Sequence, residues 1–130
     1  MKPDHPHFTL ARTLWSAIAD GDAEALGLLL AEDVTWRDVG LNPLSGMYHG
    51  PDEVLDYLAS VGEVADEFSS RLESIYINDE GAVVTHHVSA SRGERSLEMD
   101  FLTRLTVRNA VVVDVLMVPV DQRTNDEFWS

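Results

Sequence analysis

The sequence has no cysteine and a single lysine, Lys2, in 130 residues. Without cysteine there is no disulfide framework, no thiolate nucleophile and no zinc site built on sulfur. The missing lysines belong to a wider shortage of positive charge: nine Lys+Arg stand against 23 Asp+Glu, a net charge of −14. A field of that sign repels phosphate backbones and anionic membrane surfaces, so neither nucleic acid nor membrane is expected as a partner. Long apolar runs are missing too. No stretch approaches the roughly 18 residues of a membrane span. Met1 to Thr9 is polar, with no apolar centre of signal-peptide type. A soluble, cytoplasmic protein is the expectation. The acidic excess reads either as a solvating coat or as attraction for a cationic partner.

What is present suffices for one core. The chain is 45% hydrophobic, and a globule of this length buries about two-thirds of the surface its unfolded chain exposes. No internal repeat, low-complexity tract or linker interrupts it, so residues 1–130 are expected to form a single domain. From Phe8 to Ala19, Leu10, Leu14 and Ile18 recur at helical spacing, with Ala11 and Trp15 widening the stripe. Asp20-Gly21-Asp22 breaks that pattern, and Asp22 suits the N-cap of a second short helix with Ala25, Leu26, Leu29 and Leu30 on its apolar face. Val34 to Asp38 is short and β-prone, and a turn-rich loop follows from Val39 to Gly46. A third helix opens at Gly50-Pro51, where proline fits the first position and Asp52 and Glu53 complement the helix dipole.

The remainder reads as strand. Phe68 to Ile77, Ala82 to Ser91, Arg95 to Val107 and Val111 to Val120 are separated by segments short enough for hairpins. Three helices followed by a four- or five-stranded antiparallel meander make an α+β fold, with three N-terminal helices packed on a curved antiparallel sheet. Long strands twist, the sheet curls, and helices on its concave side leave a cone with an open mouth. Alternation assigns the faces. Val84, His86, Val88 and Ala90 share one side of their strand, with His87 on the other; Met99, Phe101, Thr103 and Leu105 share one side of the next. In the last strand Asp114, Leu116 and Val118 alternate with Val113, Val115 and Met117, so both faces are apolar. One face meets the helices, and the other is a candidate homodimer interface.

Three stretches carry a family resemblance. They are Ala19-Asp20-Gly21-Asp22-Ala23-Glu24-Ala25 running on to Leu30-Ala31-Glu32-Asp33-Val34; Trp36 to Gly40 with Asn42 to Gly50; and Pro119-Val120-Asp121-Gln122 closing with Asp126-Glu127-Phe128-Trp129. With this element order, the chain from about Leu10 to Ser130 resembles the NTF2-like superfamily, and within it the SnoaL-like and ketosteroid-isomerase-like groups. The resemblance implies a cone-shaped fold. It leaves the activity open among isomerases, cyclases, dehydratases, hydrolases and non-enzymatic binders.

The resemblance also points to site residues. Val34 to Gly40 is similar to the segment in which ketosteroid isomerases place a general-base aspartate, which here is Asp38. A carboxylate at a strand end in an apolar cone can take a proton from carbon beside a carbonyl, and burial raises its pKa. The alternative is an aspartate that caps the loop or pairs with Arg37. The partner groups of that isomerase chemistry, a tyrosine and a protonated aspartate, fall on Leu14 and near Thr103, so steroid isomerisation proper is not expected. His86 matches a histidine common among SnoaL-like relatives, as acid, base or ligand donor, or as a satisfied core residue. Asp114 matches an acidic position of those relatives and, with Leu116, is expected either to line the cone or to lie at the exposed strand end beside Arg108. Trp15, Trp36 and Phe101 are expected in the apolar wall of the cone, Thr103 as one hydrogen-bond donor, and Tyr48 either as a gate at the mouth or as a loop residue that simply packs.

No metal site is expected. His5 and His7 fall in a stretch expected to be mobile, and His86 and His87 point to opposite faces of a strand. Nor is a cofactor expected, for there is no glycine-rich phosphate cradle and no Gly-x-Ser-x-Gly elbow. Two functions remain. One is acid/base chemistry on a small apolar carbonyl compound, with Asp38 as base and His86 as proton donor or orienting group. The other is a binding or accessory module that uses the cone without catalysis.

Overall fold

The computed structural model describes residues 5–130; residues 1–4, Lys2 among them, lie outside the described residues. Helix α1 spans Pro6–Asp20 and begins with proline in its first turn, while the His5 side chain accepts a hydrogen bond from the His7 amide at 3.1 Å. Both histidines, expected in a mobile stretch, therefore belong to a formed helix start, and His7 Nδ1 also lies 2.9 Å from the Asn78 carbonyl. Gly21 ends α1 in the left-handed conformation, φ +64°, which glycine adopts without steric cost. Helix α2, Ala23–Leu29, starts at Asp22, whose carboxylate accepts from the Ala25 amide at 3.0 Å. Strand β1, Leu30–Asp38, and β2, Gly46–His49, form a hairpin around the turn-rich loop. Helix α3, Gly50–Val64, follows at once, with Pro51 and two acids in its first turn. Then come β3, Glu67–Asn78; β4, Gly81–Arg92; β5, Arg95–Arg108; and β6, Val111–Pro119. Helix α4, Gln122–Trp129, is capped by Asp121, which accepts from the Thr124 amide at 3.2 Å.

The strands make one curved six-stranded sheet in the order β2-β1-β6-β5-β4-β3. This corrects the expectation in three ways. Two helices precede the first strand, and α3 follows β2. The sheet is not wholly antiparallel: β1 and β6 pair in parallel, because the chain crosses through α3 to the far edge and meanders back to end beside β1. The third correction concerns short elements. Strand β2 has four residues and α4 eight, too few for a period to show.

Helices α1 and α3 lie on the inner face, α1 against β3 and β4 and α3 against β1. The sheet contributes Val34, Trp36, Val84, Val88, Phe101, Leu105 and Val115 to the core between them. Pairing fixes which side of β6 joins it. Thr103 pairs with Met117 and Leu105 with Val115, and cross-strand partners share a face. None of the helices among the described residues is long and apolar enough to cross a membrane.

One turn is strained. Between β5 and β6, Asn109 and Ala110 have φ of +54° and +67°, the two-residue hairpin geometry that favours Asn-Gly. Ala110→Gly is expected to stabilise the fold by about 0.5 to 1 kcal/mol, relief of the left-handed alanine exceeding the added backbone entropy. Urea unfolding at neutral pH measures it, and an unchanged or lowered midpoint would contradict it.

Candidate active site

Between the helices and the inner face of the sheet lies a cavity of about 440 Å³, walled chiefly by apolar side chains from α1, α3, β1, β4 and α4. Asp38 stands in this wall because it continues the inward alternation of β1: Val34, Trp36 and Asp38 point in, while Arg37 is exposed on the outer face. The suggested Arg37 pairing is thus not made. Asp38 meets Tyr57 of α3 instead, whose hydroxyl donates to Oδ2 at 2.9 Å. Burial pushes the Asp38 carboxyl up to about 6, against the lowering effect of that hydrogen bond and with help from the nearby charge of Asp126. Burial, with the Asp38 charge beside it, holds the Tyr57 hydroxyl well above the ordinary phenol range. Tyr57 is therefore a firm donor and Asp38 a carboxylate that is ionised at neutral pH yet readily protonated.

A second polar chain crosses the wall. Trp15 Nε1 donates to Ser70 Oγ at 3.2 Å, Ser70 Oγ lies 3.0 Å from His86 Nδ1, and His86 Nε2 lies 2.8 Å from Thr103 Oγ1. The His86 ring stacks on Phe101 with centroids 5.3 Å apart and leans on Trp15 at 4.7 Å. Burial pushes its pKa down to about 4, although the charge of Asp100 acts upward. His86 is a neutral imidazole at pH 7 with both ring nitrogens bonded. Its neighbour His87 faces outward between Glu98 and Asp100, each at 2.7 Å.

Trp15, Trp36, Asp38, His86 and Phe101 line the cavity. Thr103 is fully buried behind the wall, where its hydroxyl serves His86. Tyr48 belongs to β2 and its hydroxyl donates to the Leu44 carbonyl at 2.6 Å, so it is anchored rather than free to gate; its ring packs on Tyr57 at 4.5 Å. Asp114 and Leu116 require a correction. They alternate with inward Val115 and sit on the outer face, where Asp114 accepts from Thr35 and from Arg104 at 3.1 Å. Among the described residues no group of three or more His, Asp or Glu side chains is placed to hold a metal.

Sequence reasoning missed Tyr57, Ser70, Met117, Asn125 and Trp129, all in the wall. Tyr57 was within reach, since it follows Val54 by three and precedes Val61 by four on the buried face of α3. Met117 needed only the β5–β6 register. Asn125 and Trp129 depend on α4, whose eight residues are too few for a helical period to show.

A half-open cone closed by helices, with one buried carboxylate in an apolar wall, has the fold of an NTF2-like protein of Burkholderia xenovorans, which superposes with a TM-score of 0.83 at 22% identity, over 96% of each chain. The chain belongs to the SnoaL-like domain family, whose model matches residues 11–115. It is 26% identical over 129 residues to an uncharacterised protein of Mycobacterium tuberculosis, covering 98% of each chain. Bal32a, from a soil-derived mobile gene cassette, superposes with a TM-score of 0.92 at 23% identity, over 96% of this chain and 97% of that one. TerC, co-crystallised with polyporic acid, superposes with a TM-score of 0.85 at 17% identity, over 95% and 98%. These likenesses show the fold.

Proposed function

We propose that the cone binds a small, mostly apolar carbonyl compound and that Asp38 acts on it as a general base, without a cofactor. The observation that carries this is the buried carboxylate of Asp38 set in the apolar wall. Its Oδ2 is held by Tyr57, and burial brings its pKa to about 6. A base is most effective when its pKa lies near the working pH. In the step proposed, Asp38 Oδ1 takes a proton from the carbon beside the carbonyl; the C–H electron pair forms the C=C bond of the enolate as the carbonyl π pair moves onto oxygen, and the proton returns to carbon in a second step that restores the carbonyl. His86 is neutral and bonded at both nitrogens, which supports an orienting and wall-forming role over that of an acid. TerC, crystallised with polyporic acid, is a precedent for ligand holding on this fold.

The bicyclic ketone 1-tetralone in deuterated buffer tests the step. The wild type should speed deuterium uptake at the α-carbon, and Asp38→Asn should lose a factor of about 10² to 10⁴, the usual worth of general-base catalysis. Uptake equal in both proteins would remove Asp38 as base and leave the second reading, ligand binding without catalysis. One observation favours that reading. The positions that would carry oxyanion donors in steroid isomerases hold Leu14, which cannot donate, and Thr103, which is occupied by His86.

We also propose a homodimer through the outer face of the sheet, where Leu102 and Val118 are exposed side by side and Leu116 adjoins them. Light scattering should give the mass of two chains, and Leu102→Asp should give one. A wild-type mass of one chain at micromolar concentration would overturn the dimer.

A further inference from the structure

Asn125 of α4 is a buried polar side chain, 1% exposed, in the wall of the cavity. Its amide orientation follows from chemistry. Trp129 Nε1 can only donate, and it lies 3.1 Å from the atom that must therefore be Oδ1. The Nδ2 group faces the other way and has no hydrogen-bond partner among the described residues. Every sealed side-chain polar atom described has a partner, so Nδ2 is not sealed: it opens onto the cavity. The other wall donors are engaged. Trp15, Trp36 and Tyr57 donate to Ser70, Met117 and Asp38, and Ser70 and His86 bond each other. An amide left without a partner in an apolar wall would cost the fold stability unless something else accepts from it.

The helix that carries Asn125 is also fixed against the loop after Asp38. Asp126 Oδ1 accepts from the Leu41 amide at 3.0 Å and from Asn42 Nδ2 at 2.7 Å. The packing is close there, since a Cβ on Gly40 would meet Asp126 Oδ1 at 2.6 Å. Two neighbouring residues thus have opposite tasks. Asp126 locks α4 to the segment bearing the base, and Asn125 turns inward from the same turn of helix.

We propose that the Asn125 amide is the donor that holds the acceptor oxygen of the ligand, so that the cavity selects compounds carrying a carbonyl or comparable oxygen over hydrocarbons of equal shape. The proposal rests on the reading of the cavity as a ligand site, and it does not depend on Asp38 being a base. With a carboxylate and a free amide in one apolar wall, the ligand chemistry is an apolar skeleton with an acceptor oxygen.

A matched pair tests it: 1-tetralone and tetralin, the same bicyclic skeleton with and without the carbonyl, titrated by NMR. The wild type should prefer the ketone by about tenfold, the worth of one net hydrogen bond. Asn125→Leu should bring the two affinities together while keeping that for tetralin. A measurement on the unaltered protein guards against a variant that does not fold: the side-chain amide resonances of Asn125 should shift with 1-tetralone and not with tetralin. Asp38→Asn should keep the ketone preference even where it stops deuterium uptake, which separates the two assignments. A preference that survives Asn125→Leu, or amide resonances that respond alike to both probes, overturns the proposal alone. Failure of both probes to bind overturns the ligand-site reading and this proposal with it.

Discussion

Asp38→Asn should unfold at higher denaturant than the wild type at pH 7.5, although it removes a hydrogen-bonded buried side chain. Burial raises the Asp38 carboxyl to about 6 in the fold, against 3.8 for a free aspartate. The folded chain therefore holds this proton more tightly than the unfolded chain. As pH rises from about 4 to about 6, the folded state loses the advantage of the protonated acid, and at neutral pH the ionised, buried carboxylate costs about 3 kcal/mol. Asparagine carries no charge and keeps an oxygen for the Tyr57 hydroxyl. Its amide faces a wall with little to accept from it, which offsets part of the gain, so about 2 kcal/mol of added stability is expected. The gain should vanish below pH 4, where the wild-type acid is neutral as well. Urea unfolding of both proteins at pH 7.5 and 3.5 measures it. A variant less stable by the same amount at both values would mean that Asp38 is a structural cap and not a strained base. Stability and deuterium uptake should thus move in opposite directions in one substitution, as expected where a site keeps a charge that the fold disfavours.

Much of this was legible in the chain. The hairpin turns at Asn78–Gly81 and Arg108–Val111 fixed the meander, and the inward row Val84, His86, Val88 on β4 is the row that alternation gives. Asp38 was legible from the segment around it. Its partner was not, because Tyr57 comes from a helix in a separate part of the chain, and only the crossover of α3 onto β1 brings them together. Strand β6 was ambiguous for a different reason. Both of its faces are apolar, so hydrophobicity could not choose between Asp114 and Val115 as the inward residue. The pairing with β5 decides, and it sends Asp114 to Thr35 and Arg104 on the outside. The charge resolves likewise. Among the described residues most of the acids lie on exposed turns, helix starts and the outer face, and Asp38 is the buried one. The solvating coat is the reading this favours.

His86→Leu should destabilise the fold at pH 7.5 and approach the wild type as the pH falls. At neutral pH the substitution leaves the fully buried Thr103 hydroxyl without its partner and removes the ring stacked on Phe101. An orphaned buried hydroxyl costs about 1 to 3 kcal/mol, and His86→Leu/Thr103→Val should recover part of that by removing the orphan. Acid changes the comparison. Burial lowers the His86 imidazole to about 4 in the fold, against 6.5 for a free histidine. Below pH 6.5 the unfolded wild type takes up a proton that the fold refuses, so stability drains away as pH falls toward 4, by about 3 kcal/mol in all. The leucine variant has no such loss, and its deficit should close or reverse near pH 4.5. Urea unfolding at the two pH values measures it, and a deficit that stays constant would mean that His86 is not held neutral. The slope also opposes that of Asp38 over the shared range from about 4 to about 6, one group losing stability on acidification where the other gains it. The wild type should accordingly show little net pH dependence from these two groups there. Asp38→Asn should expose the His86 slope by itself, and His86→Leu should expose the Asp38 slope, of opposite sign.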